Sequence, residues 1–150
     1  KPDEIRYPLG KMGLDPKSTY VAFDYWADRF LPPFHASLKQ TLEPGTCRIL
    51  AVRRQTDHPQ LLSTSRHITQ GLMDVVAERW DSESRTLFGK SQVVAGDQYE
   101  LRIALPANGE WVAKKATAKA QKLELETETA GVRARFVPEK SGLVEWEVSF

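Results

Sequence analysis

Nine consecutive residues, Ser63-Thr64-Ser65-Arg66-His67-Ile68-Thr69-Gln70-Gly71, put hydroxyls, a guanidinium, an imidazole and an amide side by side. With Asp74 a little downstream, Ser65 and His67 supply on paper the parts of a nucleophile, a base and an orienting carboxylate. An esterase built on Ser65 or Ser63 would use them in that way. Such a trio works only if the base touches the nucleophile, a third group holds the base, and donors await the oxyanion. Spacing along the chain supplies none of these conditions. The same residues suit a joint equally well, with polar side chains satisfying backbone groups left open where a chain leaves a sheet. In a joint, Arg66 and His67 would bond across the boundary between two units.

Other candidate chemistry is thinner. The histidines are His35, His58 and His67, and none stands in an HxH or HExxH spacing, so no metal site is expected. No GxGxxG or P-loop pattern occurs, and no cofactor is expected. Paired catalytic carboxylates, as in glycosidases, need a defined separation across a sugar. Here the acidic residues alternate along strand-like runs, as on a solvated sheet face. Cys47 is the only cysteine, which rules out an internal disulfide and a multi-cysteine zinc site. It lies in the apolar run 46–52 and is expected to be a buried small hydrophobe. Tryptophan and tyrosine rings offer flat apolar faces on which sugars stack. Trp146 and Tyr99 fall on the apolar side of their runs and are expected in the core. Trp26, opposite Phe23 in parity, and Trp111, at a turn exit, are the candidate carbohydrate-binding residues.

The elements that must position these groups are strands. Period-two alternation recurs along the chain with turn residues between the runs. The first half gives strands at 20–26, 36–42 and 47–53, with Pro32-Pro33 breaking the chain between the first two. The second half gives strands at 74–81, 86–94 (with Gly89 a candidate bulge), 99–105, 111–118, 122–129, 132–137 and 143–150. In 99–105 the apolar Tyr99, Leu101, Ile103 and Leu105 should point inward, and Glu100 and Arg102 outward. The last three strands carry acidic, basic and acidic outer faces, which predicts a meander with opposite charges across each pair. The fold class is all-β, an antiparallel β-sandwich of Greek-key or immunoglobulin-like type, with room in 150 residues for two packed β units. The polar stretch from Arg54 to Pro59 marks the internal boundary.

Composition narrows the partners. Hydrophobic residues are 41% and charged residues 27%, enough for a core. A net charge of +1, without a basic patch, gives no electrostatic case for nucleic acid. No apolar run reaches the roughly 20 residues of a membrane helix, and no membrane partner is expected. The chain opens Lys1-Pro2-Asp3, with neither an initiator methionine nor a signal peptide, as expected of a segment of a longer protein.

One resemblance adds to these readings. The order YVAFDYW (20–26), RFLPPFHASLKQTLEPGTCRILAVRR (29–54) and DHPQLLSTSRHITQG (57–71) resembles the region after the catalytic barrel in bacterial α-galactosidase-like, melibiase-type glycoside hydrolases. It covers about Leu14 to Gly71 well, and the segment from Met73 onward more weakly. The resemblance implies terminal strands of a C-terminal β-sandwich at 1–57, a junction at 58–72 and an immunoglobulin-like β module at 73–150. Such enzymes carry two catalytic aspartates on a barrel, and neither the barrel nor its motifs has a counterpart here. The implied role is therefore a non-catalytic accessory domain, not an enzyme in itself, whose partner is the catalytic barrel of the same parent chain. The alternative is a carbohydrate-binding module with its own sugar affinity. Localisation stays open, with a secreted or periplasmic parent in keeping with the family.

Overall fold

The computed structural model describes residues 3–67, 69–107, 109–119 and 121–150. The chain divides into two compact units, Lys1–Gln55 and Thr56–Phe150. Among the described residues the regular structure is antiparallel strand with one 3-10 turn, so the all-β class holds.

In the first unit, strand β1 (Asp3–Pro8) leads through the 3-10 turn Leu9–Met12 toward β2 (Tyr20–Asp24). Strands β3 (Arg29–Phe34), β4 (Ser37–Leu42) and β5 (Leu50–Arg54) follow. One sheet pairs β1 with β4; the other runs β3-β2-β5. Being central, β2 is buried along its whole length, and Phe23 meets Phe30 edge to face at 5.1 Å. The strand stops at Asp24, whose carboxylate accepts the Ala27 N–H at 3.0 Å and turns the chain before Trp26.

Two expectations about this unit are corrected. Pro32 and Pro33 do not end a strand; they lie inside β3. That strand is an edge, and its register with β2 slips between Tyr20 and Ala22, opposite the prolines. A bulge on an edge is where a residue without an N–H costs no ladder bond. Cys47 is exposed, not buried. The turn begun at Glu43 continues irregularly to Ile49, so Cys47 never enters a ladder.

The second unit contains β6 (Gln60–Thr64), β7 (Val75–Asp81), β8 (Thr86–Val93), β9 (Tyr99–Ala104), β10 (Lys115–Ala118), β11 (Gln121–Lys122), β12 (Glu124–Glu128), β13 (Gly131–Phe136) and β14 (Gly142–Ser149). They form a sheet ordered β11-β10-β14-β8-β7 and another ordered β12-β13-β9-β6. Alternate residues from both build one core that includes Leu87, Tyr99, Leu101, Ile103, Val132 and Trp146, which makes this unit a β-sandwich. The expected strand 122–129 is two short ones. It pairs with β10 up to Lys122, buries Leu123, and then joins β13 in the other sheet.

The expected junction at 58–72 is not a separate segment. The division falls between Gln55 and Thr56, and residues 60–64 are strand β6 of the second unit. The closing meander is also not formed as expected. Glutamates of β12 do face arginines of β13, Glu124 opposite Arg135 and Glu126 opposite Arg133. Strand β14, however, crosses to the other sheet and pairs with β8 and β10, so β9 is the second neighbour of β13.

Glu100 and Arg102 do not point to solvent; both are buried. The Glu100 carboxylate accepts from Arg102 at 2.6 Å, Arg133 at 3.2 Å and Arg135 at 2.5 Å. Glu126 and Glu128 accept from Arg135 and Arg133, so three carboxylates balance three guanidinium groups. Balanced pairing with satisfied hydrogen bonds is the condition under which charge can be buried. Gly89 is not a bulge either. It sits in register opposite Trp146, and a Cβ there would lie 2.0 Å from the indole Cζ2. The bare backbone makes room for the ring, whose Nε1 donates to the Ser91 hydroxyl at 2.9 Å. The bulge in this sheet lies on β7, between Val75 and Ala77.

Candidate functional site

The stretch 63–71 closes strand β6 and folds back on itself. Residue 68 lies outside the described residues. Thr64 N–H donates to the Gln70 carbonyl at 3.1 Å, and Gln70 N–H to the Arg66 carbonyl at 3.0 Å. Gly71, at φ 107, supplies the backbone conformation for the turn into β7, where Val75 N–H returns to the Gly71 carbonyl.

Three of its side chains, Thr64, Ser65 and Arg66, hold this loop against β9 and its flanks. The Ser65 hydroxyl accepts the Glu100 N–H at 3.0 Å, and Ser65 N–H donates to the Glu100 carbonyl. Thr64 and Tyr99 hydroxyls both donate to Oδ2 of the buried Asp74, at 2.8 and 2.5 Å. Burial, and then the bond to Asp74, push the Tyr99 phenol well above its ordinary ionisation range. Arg66 pairs with Asp97 at 2.5 Å and lies over the Tyr99 ring. That pairing stays within the second unit and is not the bond across a boundary expected from sequence. His67 is exposed. The Ser65, His67 and Asp74 side chains thus serve different neighbours: Ser65 the β9 backbone, Asp74 two hydroxyls.

A second constellation was not visible in the spacing. Asp57, His58, Trp80, Ser82, Arg85 and Trp111 line a cleft of about 340 Å³ at the end of the second unit. The segment before β6 brings Asp57 and His58. Its shape is set by the buried Gln60, whose side-chain oxygen accepts the Thr56 N–H at 2.8 Å. The last turn of β7 brings Trp80, the β7–β8 turn brings Ser82 and Arg85, and the approach to β10 brings Trp111. His58 stacks flat on Trp80, with ring centroids 5.1 Å apart and 4° between planes. Trp80 meets Trp111 edge to face at 5.7 Å. The Arg85 guanidinium lies 4.4 Å above the Trp111 ring.

The β7–β8 turn is held by Asp81, which accepts the Glu83 N–H at 3.0 Å. That backbone bond keeps the Asp81 carboxyl below its usual range. Arg85 sits at φ 48, where L side chains are uncommon. Trp111 is half-buried against the core, and Gly109 leaves the space its indole Nε1 approaches.

Of the two tryptophans singled out from sequence, Trp111 thus forms a wall of this cleft with one face already covered by Arg85. Trp26 belongs to the first unit, in the β2–β3 turn, 53% exposed and edge to face with Tyr25 at 5.1 Å. The first unit also has a groove of about 580 Å³ beside β3 and β4, lined by Arg29, Pro33, His35, Ser37 and Lys39 among others. Among the described residues no group of three or more His, Cys, Asp or Glu side chains could hold a metal ion. No helix of the described residues is long and apolar enough to cross a membrane.

The chain matches no model of a known protein family and no curated protein.

Proposed function

We propose that this chain is a non-catalytic accessory β region of an α-galactosidase-like glycoside hydrolase, stabilising or orienting the catalytic barrel of the same parent. The observation that carries the reading is the state of residues 63–71. They are the most reactive-looking part of the sequence and also the core of the family resemblance. The Ser65 hydroxyl holds the Glu100 backbone, and the Thr64 hydroxyl is spent on Oδ2 of the buried Asp74, the work of a structural clasp. A nucleophile would need its hydroxyl directed at a base and a substrate.

The test is direct. The purified chain should release no chromophore from aryl α-galactosides, other aryl glycosides or short-chain aryl esters. Turnover that disappears in Ser65→Ala or Asp74→Asn, with the fold intact by circular dichroism, would replace the accessory reading with an enzymatic one. The coding sequence upstream should encode a barrel with paired catalytic aspartates.

A second reading, a carbohydrate-binding module, is favoured by one specific observation. The cleft at His58, Trp80, Arg85 and Trp111 combines aromatic walls with polar groups directed into a small space.

A further inference from the structure

We propose that the cleft formed by Asp57, His58, Trp80, Ser82, Arg85 and Trp111 binds a neutral saccharide, held by hydrogen bonds from its polar rim rather than by stacking on an open indole face. This inference rests on the second reading above and is independent of the first.

The charge of the cleft argues for a neutral ligand. Arg85 contributes one fixed cation and Asp57 one fixed anion, so no net field selects a charged partner. Together they give one cleft both donors and acceptors, as the hydroxyls of a sugar require. The Arg85 guanidinium lies over Trp111 and makes no ion pair among the described residues. Stacking fixes its plane and leaves its N–H edges as directed donors. Asp57 is exposed at the rim, where its carboxylate can accept two hydroxyls.

His58 adds an acceptor. Its Nδ1 lies 2.9 Å from the Pro59 carbonyl, which can only accept, so Nδ1 carries the proton. In the neutral ring Nε2 is then an acceptor. Ser82 supplies a hydroxyl of either sense. The half-buried Trp80 and Trp111 rings add apolar wall to the cleft beside these polar groups.

Two features preorganise the site. His58 and Arg85 are each clamped on an indole, so little side-chain freedom is lost on binding. The β7–β8 turn is fixed by Asp81, and its last residue, Arg85, holds a left-handed conformation that turns usually give to glycine or asparagine. A volume of about 340 Å³ is small for a ligand pocket and suits a terminal sugar unit better than a long chain.

The experiment is a titration of the intact chain with neutral mono- and disaccharides, including galactosides, glucosides and mannosides. Galacturonate and glucuronate serve as charged comparators. Tryptophan emission and isothermal calorimetry provide the readouts. Saturable binding of a neutral sugar is expected, indifferent to salt, since no net charge is exchanged. Arg85→Ala and Asp57→Asn should each weaken it roughly tenfold or more, the worth of a charge-assisted hydrogen bond. Trp26→Ala, in the other unit, should bind as the parent does. Both rim residues are exposed, so the variants should keep the fold, as circular dichroism would show. Preference for uronates that grows in Asp57→Asn would overturn the neutral assignment. Binding untouched by both rim variants, or no saturation at millimolar sugar by the folded chain, would overturn the site. Neither result would bear on the accessory reading, which stands or falls on the hydrolase assay and the upstream barrel.

Discussion

The phenol of Tyr99 and the carboxylate of Asp74 meet at 2.5 Å inside the second unit, joining strand β9 to the entry of β7. Thr64 donates to the same oxygen, so one buried acceptor ties three segments together. Removing the Tyr99 hydroxyl leaves that acceptor short of a partner.

Tyr99→Phe should therefore cost about 1–3 kcal/mol, read from urea unfolding. The phenol also makes a pH prediction. Burial and the Asp74 bond raise its pKa above the ordinary 10.0, so the folded chain keeps a proton that the unfolded chain sheds. Its contribution is fully present below pH 10 and is lost as pH rises beyond it. Stability should fall more steeply above that pH in the parent chain than in Tyr99→Phe. Equal alkaline slopes would show that Tyr99 titrates normally.

Gly89 and Trp146 are coupled by exclusion. A methyl at Gly89 would collide with the indole at 2.0 Å, at carbons next to the Nε1 that Ser91 holds in place. Gly89→Ala should destabilise by roughly 1–3 kcal/mol or more, as overpacking does. Trp146→Leu costs stability by itself, yet the double variant should lose less than the two single losses added. Simple additivity in the cycle would mean that the ring moves aside without penalty.

The arginine and glutamate cluster on β9, β12 and β13 separates buried from rim charge. Glu100→Ala removes the buried carboxylate shared by Arg102, Arg133 and Arg135, leaves Arg133 to Glu128 and Arg102 to the Thr64 carbonyl, and should cost about 3–5 kcal/mol. Glu126→Ala removes a half-exposed partner of Arg135 and should cost about 1 kcal/mol or less. Thermal unfolding of the two variants side by side makes the comparison. Similar losses would mean that the cluster is wet.

Arg85 allows backbone and side chain to be tested apart. At φ 48 an L residue is strained and glycine is not. Arg85→Gly should be more stable than Arg85→Ala by about 1 kcal/mol, although both lose the contact with Trp111. A reversed order in the melting temperatures would mean that the turn relaxes once the guanidinium is gone.

Much of the strand content was legible in the sequence, because alternation at period two survives wherever one strand face is wet. It failed where both faces are covered. Glu100 and Arg102 look solvent-facing by parity, and only the arginines arriving from β13 reveal why they are buried. Strand β14 alternates cleanly as well, but alternation does not say which sheet a strand joins. The opposite charges on its neighbour therefore suggested a pairing that Glu100 fulfils instead. Trp111 was picked out as a single ring at a turn exit. Its companions Asp57, His58, Trp80 and Arg85 were not, because no linear spacing connects residues 57, 80, 85 and 111. The topology of two sheets brings them to one end of the sandwich.

Strand β14 is the latest of the described strands and yet the middle one of its sheet, between β10 and β8. On a ribosome, β7 and β8 emerge as a hairpin well before their remaining neighbours. The space between β8 and β10 stays vacant until residues 142–149 leave the exit tunnel. A nascent chain stalled before Gly142 would therefore lack the strand that joins β8 to β10 and would leave the Gly89 seat of Trp146 open.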